Sequence, residues 1–253
     1  MTTLLRRRVG APLVALAAIA AIAAIAALAA AACARAATLQ ISPVTVELSA
    51  DTPATGITLR NPGARPIYGQ VRTYQWSQDQ GDDVLTPAPG LAASPPLVQI
   101  GTHGEQLVRL VRLARDKPLR EESYRVLIDE LPTPDAPVVN GIAIRLRYSI
   151  PVFVEPDAAL TPPKLTWHLV REPAGWLLRV TNDGGRHAQI AAVQLVDDAG
   201  RTHDVAPGLL GYALAGSMRQ WPLSVDAAQA APRIRQVRAT VNTQPTQADV
   251  DPR

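Results

Sequence analysis

Large apolar side chains recur at every second position along NGIAIRLRYS, residues 140 to 149. Ile142, Ile144, Leu146 and Tyr148 fall on one side, and Ala143, Arg145, Arg147 and Ser149 on the other. A repeat of two is the period of a β-strand, whose successive side chains point to opposite faces. The stretch continues through IPVFVEP to Pro156, which is long against the usual strand of about five or six residues. It follows a proline-rich loop and ends where the composition changes. The expectation is the last strand of an N-terminal domain, with one apolar row.

The same reading applies upstream. Leu39 to Leu48 predicts a first strand broken by Pro43. Proline cannot donate to a ladder, so this is an edge strand or one that switches between sheets. Thr55 to Asn61 and Ile67 to Trp76 are strands, and Gln78 to Asp83 is a polar turn. Val84 to Pro96 holds several prolines and is expected to be irregular; Leu97 to Ile100 is short and apolar. The apolar spacing of Glu105 to Leu113 fits helix or strand, with Gly104 and the surrounding turns favouring strand; Tyr124 to Leu131 is a further strand, after a charged, exposed segment from Asp116 to Glu122. About seven strands and no long helix predict an all-β, immunoglobulin-like sandwich. Asp157 to Pro163 reads as a stiff hinge. Leu165 to Val170, Trp176 to Asn182, Gln189 to Asp197 and Arg233 to Asn242 then predict a second, smaller β-domain, with a turn at Pro207-Gly208 and a frayed tail from Gln244 to Arg253. The expected division is residues 1–36, 37–156 and 157–253.

The first segment changes the charge picture. Arg6, Arg7 and Arg8 precede an Ala/Leu/Ile run, and Ala34-Arg35-Ala36 is a small-x-small cleavage site. This is the pattern of a secretory signal peptide cleaved after Ala36, although the run is long enough for an uncleaved anchor. The chain of 253 residues has 25 basic and 22 acidic residues. Removing the four leader arginines leaves 21 basic residues, a net charge of −1. The high pI therefore belongs to the leader, and a nucleic-acid partner is not expected. The single cysteine, Cys33, leaves with it, so the mature chain has neither a disulfide nor thiol chemistry.

No catalytic constellation emerges, so the chain is not expected to be an enzyme or to need a cofactor. His103, His168, His187 and His203 lack metal-ligand spacing and read as surface or turn residues. Asp82-Asp83 and Asp197-Asp198 read as solvated turn acids, and the four tryptophans as core or hinge packing. Arg109, Arg112, Arg125, Arg145 and Arg147 all lie on predicted strands. They are solvated faces, or some of them converge on a carboxylate, which guanidinium binds through paired hydrogen bonds.

The combination of a leader, a β-sandwich, YRVLIDELP, a proline loop, a long alternating strand ending in RYSIPVFVEP and a second β-domain resembles the periplasmic pilus chaperones of the chaperone–usher pathway. GYALAGSMRQWPL, residues 211 to 223, is similar to that family's second domain. The resemblance runs from about Ala37 to Asn242. It implies two immunoglobulin-like domains in a boomerang, whose first domain lends its last strand to a pilin-like subunit lacking its own. It implies delivery to an outer-membrane usher in the periplasm, no membrane association after leader cleavage, and a route to self-association through the lent strand. Carried onto this sequence, the donor residues are Ile142, Ile144 and Leu146, with Asn140 as a fourth. The competing reading is that this row only packs the protein's own core. Outside the family, the chain reads as a secreted or membrane-anchored two-domain adhesion or structural protein.

One departure stands out. Family members place an arginine on the first strand and a lysine late in the lent strand to grip the subunit's C-terminal carboxylate. Thr45 and Pro151 occupy those positions here, closer to the divergent archaic branch. Reflecting Arg125 through the loop centre near Ala136 brings it near Arg147. These two are therefore the expected carboxylate anchor, with Arg109 and Arg112 as weaker candidates.

Overall fold

The protein is described by a computed structural model covering residues 39–49, 51–114, 116–132 and 145–252. The expected leader and three of the four donor residues, Asn140, Ile142 and Ile144, lie outside the described residues.

Pro43 divides the first predicted strand in two. β1 (Gln40–Ser42) pairs antiparallel with β3 (Ala54–Arg60). After the proline, β2 (Val46–Ser49) pairs parallel with β10 (Arg147–Glu155), in a different sheet. The missing N–H ends one ladder just where the next begins. The first sheet has the order β1-β3-β8-β6, with β8 at Glu105–Arg112 and β6 at Leu91–Ser94. The second runs β2-β10-β9-β4-β5, with β9 at Glu122–Leu131, β4 at Ile67–Asp79 and β5 at Asp82–Pro87; β7 (Leu97–Ile100) also pairs with β4. Ile57, Leu59, Val108 and Leu110 from one sheet and Val71, Val126, Ile128 and Val152 from the other form one buried core.

Val84 to Pro96, expected to be irregular, contributes β5 and β6. Every residue of β5 is exposed, so it carries no apolar period. Its pairing with β4, from Asp79 opposite Asp82 to Tyr74 opposite Pro87, makes it a strand.

The second domain follows the path β14-β13-β16-β17-β11-β12-β15. These strands span Thr202–Ala213, Ala188–Asp197, Ile234–Val241, Gln244–Pro252, Leu165–Glu172, Gly175–Asn182 and Ser217–Pro222 respectively. Residues 244 to 252, expected to fray, instead join the two layers. Gln244 to Asp249 pair with β16, and Val250 to Pro252 pair parallel with β11. The turn expected at Pro207-Gly208 lies within β14, on the part of its ladder with β13 where the register shifts. A short helix, α1 (Val225–Ala230), starts at Ser224, whose hydroxyl accepts the N–H of Ala227. Leu178, Val180, Ile190, Leu195 and Val237 fill the second core. The fold is thus two immunoglobulin-like β-sandwiches in series.

Asp197 is not the solvated turn acid its neighbourhood suggests; it is 4% exposed. Burial works against its charge, but the N–H groups of Arg201 and Ala199 and the side chains of His203 and Arg201 outweigh that and hold its carboxyl well below the usual range. A depressed carboxylate stabilises the fold above its unfolded pKa, near 4, and loses that contribution as pH falls towards its folded value. Asp197→Asn is expected to lower stability at neutral pH and to flatten the acid limb of the profile. Denaturant titrations between about pH 2 and 7 check this.

Candidate functional site

The two edges of β10 are unequally occupied. On one side, Arg147 to Val154 pair with Asp129 to Glu122 of β9. On the other, only Val152 to Glu155 pair, with β2. Because the chain leaves this sheet at Pro43, Arg147 to Pro151 have no strand on that side among the described residues. Such an edge presents unpaired N–H and C=O groups to any extended chain. The apolar row read from the sequence is divided here. Ile150, Val152 and Val154 pack the protein's own core and half-buried Tyr148 packs against it, while Leu146, on the same side, is 40% exposed.

The opposite face of the sheet carries the candidate anchors. Arg125 stands opposite Pro151, not Arg147; Arg147 stands opposite Asp129. The expected meeting of the two arginines therefore fails by four rungs, about 13 Å at the strand rise. The ladder does not close symmetrically about Ala136. Arg147 pairs instead with Asp129, which also binds Arg72 at 2.6 Å. Burial opposes ionisation of Asp129, but the hydrogen bonds of Arg147 and Arg72 outweigh it and hold its carboxyl below the ordinary range.

Arg112 and Arg109 do not join Arg125 either. Arg112 is buried; its Nε and Nη2 hold the Glu122 carboxylate at 3.2 and 3.1 Å, and its Nη1 donates to the carbonyls of Ala114 and Asp116. Its donors are committed to the protein itself. Arg109 is exposed on β8, in the other sheet.

Arg125 differs from the other three candidates. Its guanidinium lies 3.6 Å from the Trp76 ring centroid and 5.1 Å from that of Tyr212, in the second domain. No carboxylate lies within ion-pair distance of it among the described residues. Burial lowers its pKa from the ordinary arginine value, against the pull of Asp83 and Tyr212. It remains a cation that is partly desolvated and supported on aromatic faces, with donors available to a carboxylate.

The junction between the domains builds this environment. Trp76, Phe153, Tyr212 and Leu214 form a third buried cluster, and Phe153 is the only phenylalanine in the chain. Phe153 stacks on His187 at 3.4 Å with rings within 4° of parallel. Glu121, buried rather than exposed as its segment predicts, accepts the N–H of His187 at 2.8 Å and contacts its Nδ1 at 2.9 Å. Gln78 donates to the Tyr212 carbonyl and accepts from the N–H of Leu214. Asp82 pairs with Arg219 and Asp83 accepts from Trp76 Nε1, so both acids serve the junction. Sequence reasoning placed Trp76 at core or hinge but missed Tyr212, His187 and Glu121, which have no local pattern. Glu121→Ala would leave the His187 N–H without its acceptor in a dry site. The expected cost is about 1–3 kcal/mol, read as a lower denaturation midpoint and faster proteolysis at the hinge.

Among the described residues, no group of three or more His, Cys, Asp and Glu side chains could hold a metal ion. Residues 38–160 match the family described as pili and flagellar-assembly chaperone, PapD N-terminal domain. Curated protein sequences give no match. Among solved structures, the CsuC–CsuE chaperone–tip adhesion subunit pre-assembly complex from the archaic chaperone–usher Csu pili of Acinetobacter baumannii is similar to this chain. The TM-score is 0.67 at 22% identity, over 86% of this chain and 100% of that one. The E. coli chaperone DraB aligns with TM-score 0.56 at 20% identity, over 87% and 98%. The Salmonella enterica SafA pilin–SafB chaperone complex gives 0.59 at 18%, over 85% and 97%. These structures share this chain's fold, and its residues 38–160 form a PapD N-terminal domain of the pilus-assembly chaperone type.

Proposed function

We propose that this protein is a periplasmic chaperone that holds pilin-like subunits by donor-strand complementation and hands them to an outer-membrane usher. The observation that carries the reading is the open edge of β10 from Arg147 to Pro151, on the same sheet as an unpaired, partly desolvated guanidinium at Arg125. A subunit lacking its last strand exposes an apolar groove and an unsatisfied backbone edge. Strand addition satisfies the backbone, and alternate apolar side chains fill the groove. Leu146 begins that row at the exposed end of β10, and Ile144, Ile142 and Asn140 continue it upstream. The subunit's C-terminal carboxylate ends in the cleft at Arg125. The domains are residues 37–156 and 157–253, after a cleaved leader of residues 1–36.

Of the four arginines considered, Arg125 is the anchor. Arg112 is buried against Glu122, Arg147 lies four rungs from Arg125 beside Asp129, and Arg109 lies in the other sheet. Similar proteins have been solved in complex with a tip adhesion subunit and with a pilin, which supports a partner of that class here.

Two experiments test the reading. Co-expression with small secreted proteins encoded beside this chain is expected to yield a soluble one-to-one complex. Ile144→Asp with Leu146→Asp is expected to abolish that complex while the circular dichroism of the free chaperone is unchanged; a complex that survives removes strand donation. Arg125→Ala is expected to weaken capture by about 1.5–3 kcal/mol, the range for a charge-assisted contact. Capture at wild-type strength rules out the anchor.

A further inference from the structure

Resting on the strand-donation reading, the cleft face of the six-stranded sheet also says what the bound strand should carry. At the open end of β10, Arg147 and, two residues before it and just outside the strand, Arg145 follow one another at the strand's alternating spacing. With Arg72 and Asp129 they line one groove of about 470 Å³. Asp129 serves both Arg72 and Arg147, so the trio keeps one positive charge. Arg145 is exposed and makes no ion pair among the described residues. The other acid lining this groove, Glu130, is engaged with Leu146 and Tyr148, accepting from the N–H of one and the hydroxyl of the other. Asp129 sits on β9, on the far side of β10 from the open edge. Among the described residues, the edge side of this arginine pair therefore has no carboxylate of its own.

The direction of an incoming strand follows from the two ends of the site. A strand that lies along Arg147 to Pro151 and finishes near Arg125, level with Pro151, runs parallel to β10. It lies in line with β2, which is itself parallel to β10. Side chains level with one another on parallel neighbours share a face. The residue beside Arg147 thus precedes the residue beside Pro151 by four positions, and the residue beside Arg145 precedes it by six.

We propose that Arg145 and Arg147 select the partner strand by pairing with an aspartate or glutamate four or six positions ahead of its residue at the Pro151 level. Cross-strand pairs of opposite charge are favourable and like charges repel, so lysine at those positions is discriminated against. The pair sets register as well as identity, because a slip of one residue turns the acid to the other face.

The probes are synthetic twelve-residue peptides of alternating valine and threonine with a free carboxyl terminus, carrying glutamate or lysine at the fifth and seventh residues from the end. Binding is read by fluorescence anisotropy at low salt with the mature chain. The glutamate peptide is expected to bind at least about fivefold tighter than the lysine peptide. In the Arg145→Gln, Arg147→Gln variant, shown to be folded by circular dichroism, that preference is expected to vanish. Equal affinities in the wild type, or a preference that persists in the double variant, overturn the proposal. An amidated glutamate peptide that binds as well as the free acid overturns the Arg125 anchor instead. Failure of every peptide to bind the wild type removes both.

Discussion

Pro43 has no N–H to give to a ladder, and the chain changes sheets around it. That substitution of one sheet for another is the constraint on which the rest depends. If the first strand ran unbroken along β10, that strand would be flanked on both sides over its whole length. Because β1 belongs to the opposite layer, β10 is central over Val152 to Glu155 and, among the described residues, an edge over Arg147 to Pro151. One strand thus holds the first domain together at its C-terminal end and offers unpaired backbone at the other. The sandwich remains closed because the crossing strand tops both layers, with Leu39, Val46 and Leu48 buried in the shared core.

The second constraint is the rigidity of the junction. Two domains of this size joined by a proline-containing linker would by default move against each other. Here the β4–β5 hairpin bonds to the second domain, with the N–H of Gln220 and the guanidinium of Arg219 both on the Gly81 carbonyl. The Phe153–His187 stack and the Glu121 contacts close the other side. One aromatic that flanks Arg125 comes from each domain, Trp76 and Tyr212, so the environment of that guanidinium exists only when the domains are docked. Preorganisation of this kind lowers the cost of ordering a bound strand end.

The distribution of arginines shows how little residue type alone says about role. Arg125 and Arg147 stand on paired strands, β9 and β10, and Arg112 on β8 of the facing sheet. One is a buried strut against Glu122, one a cation on aromatic rings, and one part of an exposed ion trio. What separates them is which acids the fold brings within reach. Glu122 and Asp129 neutralise two of the three, and Asp83, the acid nearest Arg125 in effect, is occupied by Trp76 and Gln78.

Residue pattern alone yields the all-β class, most strands of both domains, and the break in the first strand at Pro43, which left an edge strand and a sheet switch as alternatives. These rest on local physics: a period of two, turn residues and the missing proline N–H act within a few residues. The edge status of β10, the four-rung separation of Arg125 from Arg147, the burial of Glu121 and His187, and the pairing of residues 244 to 252 were decided by tertiary structure. Each depends on which distant strand lies alongside, and β5 and β17 become strands through partners rather than through any period of their own. Backbone groups must be paired wherever water is excluded, and the chain's long-range path alone says where that is.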